Sequence, residues 1–254
     1  MSAHAAPNAH PPAVPPALPQ PPTLPDLPGG ALAAWPHYFR RGAPGAPVLL
    51  TLHGTGGNEN EIAALATTLD PRASVLSPRG RVTEGGASRW FRRLREGVFD
   101  VDDVIIRAGE LAAFITVART IYGLTDAPLI AVGFSNGANI AAATALLHPS
   151  VLKRVVAFSG MYPFADRDPI DRDPIGEIEM LKGDALRGNR VLADVELLLL
   201  NGDTDAMAPA TSVDTLERTA AVHGASVTRH TRTGGHGIDG SELEVARAWI
   251  ADRA

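Results

Sequence analysis

A serine set between two glycines is the residue of this chain best suited to nucleophilic chemistry. The apolar run 129–134 is typical of a buried strand, Ser135 follows it, and an alanine-rich helical pattern begins at Asn136. Gly133 and Gly137 complete the pattern Gly-x-Ser-x-Gly, which places a serine on a sharp turn between a strand and a helix. The pattern therefore predicts that the hydroxyl of Ser135 is exposed above the edge of a sheet and attacks a carbonyl carbon.

Such a serine needs a base to remove its proton and an acid to orient that base. Of the eight histidines, only His53 and His236 lie in glycine-containing loops where predicted strands end, and the neighbours of His53 suggest a different role. Asp203 and Asp205 compete for the role of the acid. Asp203 suits a turn that is closed by its own side chain, so Asp205 is the predicted partner. The predicted triad is Ser135, Asp205 and His236.

The negative charge that develops on the substrate oxygen requires two backbone N–H groups aimed at it. Asn136, directly after the serine and at the start of a helix, supplies one of them. The glycine-rich loop 53–57, which follows an early strand, is predicted to supply the other through Thr55. A phosphate-binding loop is the alternative for this segment, but neither a P-loop lysine nor a Rossmann acid follows at the required spacing.

Strands and helices alternate along the chain, which predicts an α/β fold with a mostly parallel central sheet and helices on both faces. Asp100 is predicted to cap a helix, with Asp103 in its first turn, rather than to bind a metal ion with Asp102. The predicted strands are 35–40, 48–52, 73–77, 129–134, 154–158, 195–200 and 225–232, and the predicted helices are 59–69, 101–123, 136–148, 211–222 and 241–251.

Two segments depart from this alternation. Residues 1–30 are dense in proline and predict a disordered tail, while 31–254 predict one catalytic domain. Within that domain, 163–189 is polar and contains a tandem repeat, Asp-Arg-Asp-Pro-Ile at 166–170 and again at 171–175. We interpret 163–189 as a surface insertion or partial lid, because it contains prolines and has little periodicity. Calcium binding by its aspartates is the alternative, but no ligand loop of known spacing is present.

Composition limits the class of partner. The net charge of −5 gives no reason to expect nucleic acid, and the uncharged stretch 127–152 is broken by glycines and asparagines, which argues against a membrane span. The chain has no cysteine, which suits a reducing compartment and favours a cytoplasmic location. No metal or cofactor is expected, the predicted partner is a small-molecule ester, and a homodimer is an open alternative.

The long connection 78–97 contains six arginines and the pair Trp90-Phe91. The two aromatic residues are predicted to line a substrate pocket. The arginines have two interpretations, which are steering of an anionic substrate and pairing with nearby carboxylates such as Glu84 and Glu96.

These stretches together resemble the phospholipase/carboxylesterase family of α/β-hydrolases, which contains acyl-protein thioesterases and small bacterial carboxylesterases. Segment 52–59 is similar to the oxyanion loop of that family and segment 133–141 to its nucleophile segment. Segments 89–94 and 96–100 are similar to the branch of hydroquinone- or glyoxal-resistance esterases. The resemblance covers roughly 31–254 and implies a cofactor-free serine hydrolase of short acyl esters that works through an acyl-enzyme.

Two other functions stay open on the sequence. An acyl-thioesterase or lysophospholipase would use the same residues on a different substrate. A binding protein that has kept the fold and lost catalysis belongs to another class, although no member of the predicted triad is missing.

Overall fold

A computed structural model describes residues 35–170 and 191–254 of the chain. The predicted tail 1–30 and most of the predicted insertion 163–189, including the second copy of the pentapeptide repeat, lie outside the described residues. The first copy, 166–170, lies within them.

A seven-stranded sheet forms the centre of the molecule, and its strands lie in the order β1-β3-β2-β8-β9-β10-β11. Every neighbouring pair is parallel except β1 and β3, which are antiparallel. The mostly parallel sheet predicted from the sequence is thereby confirmed. The strands are β1 His37–Arg40, β2 Val48–Leu52, β3 Ser74–Pro78, β8 Leu129–Phe134, β9 Arg154–Phe158, β10 Glu196–Gly202 and β11 Ser226–Arg232.

Helices cover both faces of the sheet, as the alternating pattern predicts. They are α1 Glu59–Leu69, α2 Val101–Ile121, α3 Asn136–Leu147, α4 Ala210–Val222 and α5 Gly240–Ala251. The apolar side chains of α2, α3 and α4 pack on one face, and those of α1 and α5 pack on the other. No helix within the described part of the chain is both long and apolar enough to cross a membrane.

Helix α2 begins where the sequence predicts it. The Asp100 side chain accepts a hydrogen bond from the backbone N–H of Asp103 at 3.2 Å, and the helix dipole favours both acids in the first turn. Asp103 is buried and also accepts a bond from the N–H of Arg92 at 2.7 Å. The capping role predicted for these aspartates is therefore observed.

The connection between β3 and α2 contains structure that the sequence analysis did not predict. It forms two small antiparallel hairpins, one of β4 Val82–Glu84 with β5 Ala87–Arg89 and the other of β6 Arg93–Arg95 with β7 Val98–Phe99. Strands of two or three residues carry too little periodicity to be detected in a sequence.

The first turn of α3 packs directly against the end of β2. A Cβ atom built on Gly137 would lie 2.0 Å from the carbonyl oxygen of Leu52, and one built on Gly133 would lie 2.5 Å from the N atom of Ala138. No side chain fits at either position, so the glycines on both sides of Ser135 are required by close packing.

We expect the substitution Gly137→Ala to lower the free energy of unfolding by about 3 kcal/mol or more, because a backbone carbonyl cannot move away from the new methyl group cheaply. Urea unfolding followed by circular dichroism measures the change. The matched control is Gly109→Ala inside α2, where the nearest atom to the new Cβ is a His148 ring nitrogen at 3.7 Å. That control should gain up to about 1 kcal/mol from helix propensity. Equal stability of Gly137→Ala and the unchanged protein would contradict the close packing.

Candidate active site

Ser135 has a backbone conformation that non-glycine residues rarely adopt, with φ 53° and ψ −118°. Its N–H donates to the carbonyl of Phe158 at 2.8 Å and its carbonyl accepts from the N–H of Asn139 at 3.0 Å. Although Ser135 precedes the first residue of α3, its side chain makes no capping bond to the helix. The strained turn is therefore held by backbone bonds on both sides, and its hydroxyl takes no part in capping.

Asp205 and His236 are brought into contact, as the sequence analysis expected. The Nδ1 atom of His236 lies 2.8 Å from Oδ2 of Asp205, whose side chain is fully buried. The other oxygen, Oδ1, accepts from the N–H groups of Met207 and Ala208 at 2.9 and 3.0 Å. The carboxylate is thus fixed in one orientation, and Nε2 is the ring nitrogen of His236 that remains for proton transfer.

The turn-closing bonds predicted for Asp203 are made by Asp205, through the N–H groups of Met207 and Ala208, and Asp203 bonds to a different loop. Its Oδ1 accepts from the N–H of Gly234 at 2.9 Å, and its own N–H donates to the carbonyl of Arg232 at 2.8 Å. Asp203 therefore ties the loop after β10 to the loop that carries the histidine, and it is Asp205 that contacts the imidazole.

The histidine lies next to the serine turn. The ring of Phe134, the residue before Ser135, lies 5.2 Å from the imidazole of His236 between centroids. Because β8, β10 and β11 are parallel, their carboxyl ends meet at one edge of the sheet, and the three predicted triad residues follow those ends. Ligands of open α/β sheets bind at this edge, close to the point where the strand order reverses.

The two predicted oxyanion donors lie in the same cleft as Ser135. This cleft has a volume of about 80 Å³, and Thr55 and Asn136 both line it. Asn136 is the first residue of α3, so its N–H has no partner within the helix and lies at the positive end of the helix dipole. The hydroxyl of Thr55 accepts a bond from Nη1 of Arg89 at 2.9 Å, which anchors the loop after β2.

Trp90 and Phe91 are not where the sequence analysis expected them. Their exposed fractions are only 2% and 0%, both belong to the core, and neither lies on the wall of the cleft. The N–H of Trp90 donates to the side-chain oxygen of Asn136, and its indole N–H donates to the carbonyl of His53, both at 2.8 Å. The prediction of a pocket-lining role is corrected, since Trp90 instead ties the serine turn to the oxyanion loop.

His53 is a buried structural residue. Its Nε2 accepts from the N–H of Gly80 at 2.9 Å, so the ring hydrogen is on Nδ1, which donates to the carbonyl of Gly54 at 2.7 Å. Burial lowers the pKa of His53 below its ordinary value, and the ring is accordingly neutral at pH 7. These bonds shape the loop that presents Thr55.

Five of the six arginines of the connection pair with carboxylates, which was one of their two interpretations. Arg89 lies 3.2 Å from Glu84, Arg93 lies 2.9 Å from the same carboxylate, and Arg92 lies 2.9 Å from Asp100. Arg89 and Arg93 line the cleft, and so does Glu96, which pairs with Arg93. Charges of both signs therefore surround the serine, and the cleft has no one-sided positive wall.

Two polar residues of the cleft were missed in the sequence. Asn139 accepts a bond from the N–H of Met161 at 2.8 Å, and Ser159 bonds to the backbone of Gly237 beside the histidine. Ser159 also has a positive φ of 49° and follows a parallel strand, like Ser135. The run Ala157-Phe158-Ser159-Gly160 could have indicated Ser159, because here too a predicted strand is followed directly by a serine and a glycine.

A second cavity of about 380 Å³ adjoins the cleft and shares Gly97, Phe99 and Met161 with its wall. Tyr162 contributes to this cavity, and burial raises the pKa of its hydroxyl to about 12, so the phenol is neutral. No group of three or more metal-ligating side chains converges anywhere in the two described segments.

The sheet, the strained serine after β8 and the histidine–aspartate contact after β10 and β11 define the α/β-hydrolase class of fold. Comparison with known proteins narrows the class. A family model described as phospholipase/carboxylesterase matches residues 40–170, just over half of the chain. The chain therefore belongs to the phospholipase/carboxylesterase family, and it is a hydrolase of the carboxylesterase type.

Relatives match this chain over nearly their whole length. A Bacillus subtilis protein named as a hydrolase, MhqD, is 34% identical over 85% of this chain and 98% of its own. The crystal structure of a Bacillus cereus carboxylesterase is 34% identical, covers 89% of this chain and 98% of its own, and has a TM-score of 0.75. The crystal structure of the Agrobacterium tumefaciens protein Atu2452 is 31% identical, covers 88% of this chain and 98% of its own, and has a TM-score of 0.69.

The neutral state of His53 has a consequence for stability. Between the ordinary histidine pKa and the lower pKa of His53 in the folded protein, the unfolded chain binds a proton at His53 and the folded chain does not. The free energy of unfolding therefore decreases as the pH falls through this range. We expect His53→Gln, whose amide oxygen can accept the Gly80 bond, to lose less stability between about pH 7.5 and about pH 5.5. Urea unfolding at several pH values measures both slopes.

His148, whose pKa burial also lowers, titrates in both proteins and serves as a common background. Identical pH slopes for the variant and the unchanged protein would show that His53 does not resist protonation in the fold.

Proposed function

We propose that this protein hydrolyses carboxylic esters, preferentially with short acyl groups, through a Ser135–His236–Asp205 triad and an acyl-enzyme. The observation that carries the proposal is the 2.8 Å contact of Asp205 with His236 beside the strained serine turn. The Bacillus cereus relative, which is described as a carboxylesterase, supports the same chemistry. The predicted cytoplasmic location and the open question of a homodimer stay as the sequence left them.

The reaction proceeds by two transfers of the acyl group. In the first, Ser135 Oγ attacks the ester carbonyl while His236 Nε2 takes the hydroxyl proton. The tetrahedral intermediate then collapses, and the alcohol leaves with that proton. In the second, a water molecule gives its proton to His236 and attacks the acyl-enzyme, so that the acid is released and Ser135 regains its hydrogen.

Asp205 orients the imidazole and stabilises its charged form during the reaction. Its carboxylate accepts the Nδ1 hydrogen of His236, which leaves Nε2 free as a base in the resting enzyme, and it stabilises the imidazolium once the serine proton has moved. Full burial of the carboxylate strengthens both effects, because water does not screen the pair.

The negative charge on the substrate oxygen is stabilised by the N–H groups of Thr55 and Asn136 in this proposal. The close packing of α3 on the end of β2 supports this pair of donors, because it holds the start of the helix near the loop that carries Thr55 before substrate arrives. The short-acyl preference is what the resemblance to small carboxylesterases implies, and the small cleft beside Ser135, of about 80 Å³, is compatible with it.

We expect Ser135→Ala to lower turnover of p-nitrophenyl acetate and butyrate by at least about 10³-fold, because the nucleophile is lost while the fold is kept. Labelling by a fluorophosphonate probe should disappear with it. Ser226→Ala, at an exposed serine on the same sheet, is the matched control and should retain both signals. Turnover of Ser135→Ala at the level of the unchanged protein would overturn the mechanism. If the probe fails to label the folded, unchanged protein, the result favours a binding protein without catalysis.

The choice of acid is tested by Asp205→Asn against Asp203→Asn. In the first variant the amide oxygen must stay with the N–H groups of Met207 and Ala208, so its NH₂ faces His236 and forces the hydrogen onto Nε2. We expect kcat to fall by about 10³- to 10⁴-fold.

Asp203→Asn keeps an acceptor for the N–H of Gly234 and should stay within about tenfold of the unchanged protein. Steady-state kinetics on p-nitrophenyl acetate separates the two variants. A larger loss in Asp203→Asn than in Asp205→Asn would contradict the assignment.

A further inference from the structure

Arg232, the last residue of β11, holds the two carbonyl groups that flank the histidine. Its Nη2 donates to the carbonyl of Gly235 and to that of Gly237, each at 2.9 Å, and these are the residues before and after His236. A third bond runs from Nη1 to the carbonyl of Thr233 at 3.3 Å. One guanidinium therefore bonds to three carbonyl groups of the loop 233–237.

The guanidinium is itself fixed by a buried carboxylate at the start of α5. Its Nε lies 2.7 Å from Oε2 of Glu242, whose side chain has no exposed surface. The same oxygen accepts the N–H of Asp239 at 3.0 Å, and Asp239 caps the N–H of Glu242 in return at 3.0 Å. This reciprocal capping box ties the position of Arg232 to the first turn of α5.

A second contact holds the loop from the end of β9, which lies on the other side of β10 from β11. The hydroxyl of Ser159, after β9, donates to the carbonyl of Gly237 at 3.1 Å and accepts from its N–H at 3.3 Å. Gly237 is thus bonded on both sides, to Arg232 and to Ser159. The residue next to the histidine has little freedom to move.

We propose that Arg232 is a positioning residue for His236, which it acts on by clamping the carbonyls of Gly235 and Gly237, with Glu242 as its anchor. The inference rests on the proposed function, because it takes His236 as the base. His236 contacts Asp205 in this loop conformation, and in the proposed mechanism its Nε2 must also meet the serine hydroxyl. Small displacements of such a group are costly.

The geometry requires arginine rather than any cation. The planar fork directs Nε at the carboxylate while the outer nitrogens reach three carbonyls, and a lysine ammonium cannot serve both sides at once. Arg232→Lys therefore keeps the positive charge beside Glu242 and loses the clamp. We expect its kcat on p-nitrophenyl acetate to fall by about 10- to 100-fold with KM within about twofold.

Arg229→Lys is the matched control. Arg229 lies on the same strand and pairs with Asp214 and Glu217 on α4, away from the histidine loop. This control should keep kcat within about twofold of the unchanged protein, since exposed ion pairs contribute little.

A double-mutant cycle with His236→Ala separates positioning from general damage. Arg232→Lys should cause no further loss in the His236→Ala background, because a residue that acts only through His236 has nothing left to act on. If His236→Ala keeps full activity, the proposed function fails. If His236→Ala is inactive while Arg232→Lys keeps kcat, or if the two losses add, the positioning role is wrong and the proposed function stands.

If Arg232→Lys does not fold, Arg232→Met combined with Glu242→Leu takes its place. That double variant removes the buried charges together, so neither is left unpaired. The same loss of kcat in the folded double variant supports the clamp, and an unchanged kcat overturns it.

Discussion

The contact between the first turn of α3 and the end of β2 sets the geometry of the whole site. The helix approaches so closely that Gly137 has room for hydrogen only, and the Leu52 carbonyl lies where a side chain would begin. Because the predicted oxyanion loop starts directly after Leu52 and the serine directly precedes α3, one backbone contact brings both together. The left-handed conformation of Ser135 is a result of this approach, since the chain has to reverse within a single residue.

Around this contact the structure uses side chains as ties between loops. Trp90 connects the serine turn to the oxyanion loop, Asn139 connects α3 to the segment after β9, and Asp203 connects the loops after β10 and β11. Each tie joins loops that follow different strands. The loops that carry the candidate site residues are therefore joined to one another by hydrogen bonds as well as to their own strands.

The sequence predicted those features that depend on local pattern or on fixed spacing. The alternation of apolar runs gave the sheet and its helices, and Asp100 marked the start of α2 through its capping preference. The contact of Asp205 with His236 was also anticipated, but the reason given for it was wrong, since it is Asp205 that closes the local turn and Asp203 that bonds to another loop.

What the sequence did not reveal depends on contacts between distant residues. Trp90 has the composition of a pocket residue, and only the fold shows that it lies beneath the cleft and bonds to Asn136. The four short strands of the hairpins are held by tertiary contacts and leave no periodic signal. In the sequence, Arg232 looks like any other arginine of a strand, and only the folded loop shows its bonds to the carbonyls beside His236. The contact of Ser159 with Gly237 likewise depends on residues that follow different strands, β9 and β11.

The order in which the chain is synthesised gives the distribution of these residues a further meaning. Thr55, Ser135, Ser159, Asp205 and His236 follow five different strands, and His236 comes after the last strand of the sheet. A growing chain can form β2, β8 and the serine turn while still lacking the strand and helix that hold the histidine. In the proposed mechanism the nucleophile is therefore synthesised before its base, and ester hydrolysis would require β11 and α5 to have joined the sheet.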